Sequence, residues 1–349
     1  MHEPVGVAVV GAGYWGPNLI RNFLGSEDTV LRWVCDLDVE RAQRVLGRRS
    51  EVRVTACLDD LLQDPEVEAI AIATPSCTHL PIGLKALEAG KHVLMEKPLA
   101  TSVAEGELLV ATAAAHERVL MCDFTFCYTP VVRRLRDMIA SNELGEVLYI
   151  DTVRVNLGLV QDDIDVFWDL GPHDLSILDF ILPAAYRPVD IAATGADPLG
   201  TGQTCVGYLS MRLASGAIAH VTLNWLSPTK IRQMVVSGSK RMALWDDLKV
   251  GARLSVYDRG VDVTRVLDRD EKASRMVSYR TGDIVTPALP ETEALSAVVS
   301  EFAASIREGR APLTDGVAGL RVLHILEAAA QSLRSGGTPV PLELSHVHE

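Results

Sequence analysis

A lysine, an aspartate and a histidine carry most of the chemistry legible in this 349-residue sequence. Lys97 stands in Glu96-Lys97-Pro98, directly after the strand-like run His92 to Met95. Pro98 disfavours a helical backbone at Lys97, so the ammonium leaves from a defined strand exit, where it can stabilise negative charge developing on a substrate oxygen. Asp169 and His173 lie in Trp168-Asp169-Leu170-Gly171-Pro172-His173-Asp174, ahead of a helix expected over 175–182. A neutral imidazole takes a hydroxyl proton near physiological pH, and a carboxylate bonded to it would raise its basicity and fix its tautomer. On spacing alone the pair reads first as a helix cap by Asp169 beside a satisfied core histidine. Lys97 alone reads as a surface lysine, although lysines are scarce here, at 7 against 26 arginines.

The elements that would position these groups begin with a dinucleotide-type turn. The apolar run Val5 to Val10 meets Gly11-Ala12-Gly13-Tyr14-Trp15-Gly16, and a helical pattern follows from about Pro17 to Leu24. Backbone N–H groups and the helix dipole can then face a pyrophosphate. Asp36 closes the next apolar stretch, 30–35, where a carboxylate accepts from the ribose hydroxyls of NAD and repels a 2′-phosphate; Arg41 is the first cation after it. NAD is therefore expected rather than NADP. Thr74-Pro75-Ser76-Cys77-Thr78-His79 closes a strand expected over 67–74, and such loops line the ligand crevice. His79 reads equally as a helix-start residue or a cofactor contact. With further helices over 38–46, 79–89 and 103–117, the βαβαβαβα order calls for a doubly wound parallel sheet.

Beyond Cys122 the rhythm changes. Strands are expected over 146–156, 204–213, 217–226, 233–237 and 242–246, several with the alternation of an antiparallel sheet that has one wet face. A loop is expected over 195–202 and helices over 293–307 and 317–333. The net charge of −13 opposes nucleic acid and anionic membrane surfaces, and no segment approaches the ~20 apolar residues of a membrane helix. Six cysteines without a CxxC pair read as reduced thiols of a cytoplasm, and the opening residues read as a strand rather than a leader peptide. No metal signature stands out among nine scattered histidines, with His346-Val347-His348 reading as a solvated tail. There is no GxSxG and no P-loop lysine, so serine hydrolysis and phosphoryl transfer from ATP lose support.

Together, VAVVGAGYWGPNLIRNF (7–23), CD (35–36), ATPSCTH (73–79), AGKHVLMEKPLA (89–100) and WDLGPHDLSIL (168–178) resemble the Gfo/Idh/MocA family, the glucose-fructose oxidoreductase and inositol dehydrogenase group. The resemblance covers nearly the whole chain. It implies a Rossmann domain over 1–123 and an α+β domain over 124–349, with an open, mostly antiparallel sheet that joins a homodimer or homotetramer. The last helices would pack back on the first domain. It also implies a nicotinamide-dinucleotide site from Gly11, Gly13, Tyr14, Trp15, Gly16 and Asp36, with Thr74, Pro75, His79, Glu96, Lys97 and Trp168. Lys97, Asp169 and His173 become the catalytic group, His173 as acid/base and Lys97 on the reacting oxygen. Substrate contacts are expected from Lys97, Tyr128, Arg154, Asn156, His173 and Lys230, with Arg154 or Lys230 pairing with a diphosphate if the sugar carries one. Thr129 stands where the related pattern often has Asn. The stretches 124–132 and 156–174 look most like members acting on nucleotide-linked sugars or on sugar and cyclitol units of natural products such as aminoglycosides; the arginine-rich, lysine-poor composition suits a GC-rich bacterial genome, a setting in which antibiotic biosynthesis is plausible. The implied reaction interconverts a secondary alcohol and a ketone; an NAD-recycling glycosidase or eliminase and an NADPH-dependent keto-sugar reductase would use the same residues.

Overall fold

Val5 to Val10, VGVAVV, is buried at every position, so this strand needs cover on both faces. In the computed structural model, which describes residues 3–49, 51–158, 160, 164–267 and 273–342, it is central in a six-stranded sheet. The chain runs β1 (Val5–Val10), α1 (Gly16–Gly25), β2 (Thr29–Cys35), α2 (Val39–Leu46), β3 (Arg53–Thr55), α3 (Leu58–Gln63), β4 (Ala69–Ile72), α4 (His79–Glu88), β5 (His92–Met95), α5 (Val103–Ala115) and β6 (Leu120–Cys122). All neighbouring strands pair in parallel, in the order β3-β2-β1-β4-β5-β6. The order reverses between β1 and β4, and the crevice outside their carboxyl ends is where such sheets take ligands. Gly11, Asp36, Ala73, Glu96 and Asp123 each follow a strand at that edge.

The rest of the chain is α6 (Pro130–Ala140), β7 (Val147–Leu157), α7 (Val166–Ile181), β8 (Pro188–Ala196), β9 (Val206–Leu213), β10 (Ile218–Asn224), β11 (Leu226–Gly238), β12 (Met242–Asp246), β13 (Leu254–Tyr257), β14 (Gly260–Leu267), β15 (Ala273–Arg280), β16 (Ile284–Val285), α8 (Ala294–Glu308), α9 (Gly316–Arg334) and β17 (Val340–Pro341). A nine-stranded sheet runs β16-β13-β12-β11-β7-β10-β9-β8-β17, antiparallel except for the β7–β10 pair, and β14–β15 form a separate hairpin. Alternation decides its faces: Ile150, Thr152 and Arg154 are buried on the helix side, while Tyr149 and Asp151 are exposed. The short strands β3 and β6, the strand β8 next to the sheet edge, strands β13 to β17 and helix α6 are additions to what the hydrophobic pattern predicts.

The helix expected over 175–182 in fact begins at Val166. Asp165 caps it by accepting from the Phe167 and Trp168 N–H groups, and Pro172 lies inside it. Pro172 lacks an N–H and so frees only the Trp168 carbonyl, a local cost that the cap and the buried packing of α7 outweigh. Gly171 faces α9 and β10, where a Cβ would make ordinary contact at 3.4 Å from Leu326 and 3.6 Å from Leu223. The last helices reach back to the first sheet: α8 lies by α1, and α9 lies by α5 and β6. Val103 N–H donates to Glu327 Oε1 at 2.6 Å across this contact.

Candidate active site

The glycine turn is built around backbone approaches that no side chain would allow. Gly11 sits at φ 98°, and a Cβ on Gly16 would stand 2.0 Å from the Gly11 carbonyl oxygen. A Cβ on Gly13 would meet nothing within 4 Å. Gly11 and Gly16 therefore make the turn, whereas Gly13 leaves space open above it. No side chain caps the start of α1 and its first turn holds no acid, so its free N–H groups point at that space. A dinucleotide pyrophosphate fits these features.

Asp36 fastens this loop. Its Oδ2 accepts from Ala12 N–H at 2.6 Å, and its Oδ1 accepts from Asp38 N–H at 2.8 Å and Arg41 Nη2 at 2.6 Å. Burial alone would raise its pKa, but the bonds from Arg41, Ala12 and Asp38 hold it below the usual carboxylate range. Three of about four acceptor positions on the carboxylate are thus occupied by the protein itself. Tyr14 is 93% exposed, and Trp15 turns its Nε1 towards Asp123 Oδ2 at 3.4 Å.

At the ends of β5 and β6, Glu96 faces Asp123 with both side chains buried. Burial and the facing carboxyl push Glu96 well above the usual carboxylate range, so Glu96 carries the proton of the pair. Protonation also answers the one anomaly here, since as a carboxylate Glu96 would bury Oε1 without a donor. Thr125 Oγ1 donates to Asp123 Oδ1 at 2.8 Å.

Lys97 leaves β5 and crosses to α7. Its Nζ donates to the Asp169 carbonyl oxygen at 2.9 Å and to Asp169 Oδ1 at 3.2 Å. Asp169 Oδ2 accepts from Trp225 Nε1 at 3.0 Å, so the carboxylate is held from both sides. One turn further along α7, His173 packs edge-on against Phe126, ring centroids 5.2 Å apart. Its ring nitrogens carry no hydrogen bond among the described residues. Burial, then the charges of Lys97, Arg154 and Arg232, lower its pKa well below the ordinary value, leaving a neutral imidazole. The expected Asp169–His173 hydrogen bond is therefore corrected: Asp169 anchors Lys97, and burial, with the cations around His173, keeps the ring unprotonated. The arrangement places a positioned ammonium and a neutral imidazole one helical turn apart along α7, beyond the carboxyl end of β5.

Two family models match the chain. One, described as "Oxidoreductase family, NAD-binding Rossmann fold", covers residues 5–124, and the other, the GFO/IDH/MocA C-terminal domain, covers residues 132–244. The chain belongs to the Gfo/Idh/MocA oxidoreductases. It is 29% identical over 331 residues to UDP-N-acetylglucosamine 3-dehydrogenase of Acidithiobacillus ferrooxidans, covering 93% of this chain and 95% of that one. The solved structure of that enzyme superposes with a TM-score of 0.78 at 26% identity, over 96% of this chain and 99% of that one. GenD2 from gentamicin A biosynthesis, solved in complex with NAD, gives a TM-score of 0.80 at 25% identity, with coverage of 98% and 97%. The dTDP-3,4-didehydro-2,6-dideoxy-alpha-D-glucose 3-reductase of Saccharopolyspora spinosa is 24% identical, with coverage of 97% and 100%. The protein is thus an oxidoreductase with a nicotinamide-dinucleotide fold.

Within this Gfo/Idh/MocA chain the expected site residues divide into those that converge and those that do not. Lys97, Asp169 and His173 converge. His79 does not face the crevice: it is 0% exposed, its ring nitrogens 2.9 Å from the carbonyl oxygens of Pro98 and Thr74. It clamps the Thr74–Pro75 loop to the loop after β5, which corrects a direct cofactor contact. Tyr128 is likewise corrected, being buried with its hydroxyl on Thr314 Oγ1 at 2.9 Å. Phe126, two residues earlier in the same short turn, faces His173 instead. Arg154 lies by the site but is buried against Asp174, Asn156 and Trp168 are half-buried, and Lys230 is exposed on the irregular part of β11. Trp225 and Arg232 were not expected; cross-strand register, which pairs Arg232 with Arg154, is the signal that finds the second. His346 and His348 lie outside the described residues.

Proposed function

We propose that the protein interconverts a secondary alcohol and a ketone on a sugar-type ring, the sugar being nucleotide-linked or part of a natural product such as an aminoglycoside. The observation that carries this reading is the meeting of Lys97 from β5 with Asp169 and His173 from α7, beside the open glycine turn. The bound dinucleotide would supply the hydride acceptor in one direction and the donor in the other. His173, neutral and with free ring nitrogens, takes the hydroxyl proton. Lys97, held on Asp169, stabilises the charge developing on that oxygen. Positioning dominates: orienting the reacting groups accounts for roughly 7–11 kcal/mol of barrier, against the ~10²–10⁴-fold usual for proton transfer.

NAD is the proposed cofactor, because Asp36 ends β2 and draws the nearest cation, Arg41, onto itself rather than leaving it for a 2′-phosphate. Residues 1–123 would form the dinucleotide unit and 124–349 the substrate unit. The outer face of the nine-stranded sheet, with Tyr149, Tyr208 and Ile218 exposed, would join a homodimer or homotetramer, which sedimentation velocity tests. NADH formation from NAD against a panel of UDP- and dTDP-sugars, hexoses, inositols and aminoglycosides tests the reaction. Lys97→Ala should depress turnover roughly 100-fold or more while sparing NADH binding, and near-normal turnover would sink the assignment.

A further inference from the structure

Two arginines stand side by side on the helix-facing side of the large sheet. Arg154 of β7 and Arg232 of β11 are register partners, and their guanidinium carbons lie 4.5 and 5.8 Å from the centroid of Phe126, the ring that packs on His173. The two are held unequally. Arg154 is 2% exposed, with Nε on Asp174 Oδ2 at 2.5 Å and Nη2 on Oδ1 at 3.3 Å, yet its Nη1 is buried without a partner. Arg232 has one long contact, Nη1 to Asp247 Oδ2 at 3.5 Å, and its Nε is also buried without a partner. The Arg232 side chain remains 32% exposed.

Adjacent like charges are unfavourable unless something between them compensates. Asp174 compensates Arg154, and Asp247 only weakly compensates Arg232. Lys97 adds a third cation near His173, and the net effect of the three on that ring is repulsion of a positive charge, despite Asp169 on its own helix and Asp174 next in sequence. Each cation has a carboxylate within 3.5 Å, but two buried guanidinium N–H donors lack acceptors.

We propose that Arg232, backed by Arg154, binds an oxyanion carried by the substrate: a carboxylate on the sugar ring or the diphosphate of a nucleoside diphosphate sugar. This rests on the sugar oxidoreductase reading above and chooses between its substrate classes, since a polycationic aminoglycoside would bring like charge to the pair. Planar guanidinium groups suit both oxyanions through paired N–H···O bonds.

The test titrates NAD-loaded protein with UDP-N-acetylglucosamine, glucuronate, N-acetylglucosamine and kanamycin by calorimetry, and measures NADH formation with each. Wild type, Arg232→Gln and Arg232→Lys are compared, with thermal unfolding as the folding control. Binding of UDP-N-acetylglucosamine or glucuronate about ten- to a hundredfold tighter than the neutral sugar is expected. Whichever anion binds separates a diphosphate from a ring carboxylate. Arg232→Gln should erase most of that preference through Kd and KM, and Arg232→Lys should restore part of it. Tightest binding of kanamycin or the neutral sugar, or an anion preference that Arg232→Gln leaves intact, would overturn the proposal. Failure of the underlying reading looks different: the protein would not bind NADH before any sugar is added.

Discussion

Substitutions at two glycines of the same turn should separate binding from folding. At Gly13 a side chain grows into open space, with nothing within 4 Å of its Cβ and no left-handed φ to strain. Gly13→Val should unfold within about 1–2 °C of wild type, as surface changes cost no more than about 0.5 kcal/mol. Its methyl groups fill the volume over the start of α1 through which a pyrophosphate reaches the free N–H groups. Losing one such charge-assisted bond at ~1.5–3 kcal/mol weakens NADH roughly 10- to 100-fold. At Gly16 the same logic inverts. A Cβ 2.0 Å from the Gly11 oxygen must displace a loop pinned by Gly11 N–H on Cys35 O at 2.8 Å and Ala12 N–H on Asp36 at 2.6 Å. Gly16→Ala should cost ~1–3 kcal/mol and lower the melting temperature by several degrees, with weakened binding as a consequence. NADH fluorescence titration and calorimetric melting on both variants decide the matter. Wild-type NADH affinity in Gly13→Val would refute the reasoning, because no dinucleotide could then lie across this turn.

Three further perturbations probe the second half of the site. Asp169→Asn removes the charge from one of two anchors on Lys97 Nζ while the backbone carbonyl at 2.9 Å remains, so turnover should fall about tenfold, measured as NADH formation, with NADH affinity kept. Asp174→Asn leaves the Arg154 guanidinium buried beside Arg232 without a counter-charge; it should cost ~3–5 kcal/mol in urea unfolding, and an unchanged midpoint would show that the pair is not buried in solution. His92 accepts from Val119 N–H at 2.9 Å, and burial together with Arg118 lowers its pKa to about 4. Between that value and the ordinary one near 6.5 the unfolded chain binds the extra proton, so stability should fall as pH drops through this window. His92→Gln should flatten that part of the melting-temperature profile.

The first sheet was legible because its signals are local. Buried β-branched runs, glycines at turns and the Asp38 cap of α2 each act within a few residues, and β1 and β5 begin and end where the pattern predicts. Lys97, Asp169 and His173 were legible as residue types at strand and helix positions, and the resemblance supplied the roles proposed for them. Their partners were not, because partnership is a tertiary fact. Asp169 could have served His173 or Lys97 by spacing; the fold decides for Lys97, since Trp225 from the end of β10 holds the other oxygen. His79 was ambiguous for the same reason, its buried ring answering to carbonyls 5 and 19 residues away. The start of α7 was misplaced because a proline inside a helix reads as its boundary until packing shows otherwise.

One carbonyl ties the site together. The Asp169 oxygen that accepts from Lys97 Nζ belongs to the turn of α7 immediately before His173. The ammonium from the end of β5 is therefore tied, through a backbone carbonyl, to the helix that carries His173 one turn further on. Asp169 adds a second point of attachment whose far oxygen is fixed by a buried tryptophan. Behind Lys97, the protonated Glu96 lets the Glu96–Asp123 pair bury one negative charge instead of two, which limits the competition with Asp169 for the ammonium. The α9 helix packs against α5 on one side and α7 on the other, so the element carrying His173 and the layer carrying Lys97 share one rigid support. The placement of Lys97 against His173 thus depends on the packing around α9, and a loosened contact between α7 and α9 would displace His173 from Lys97 while leaving the glycine turn intact.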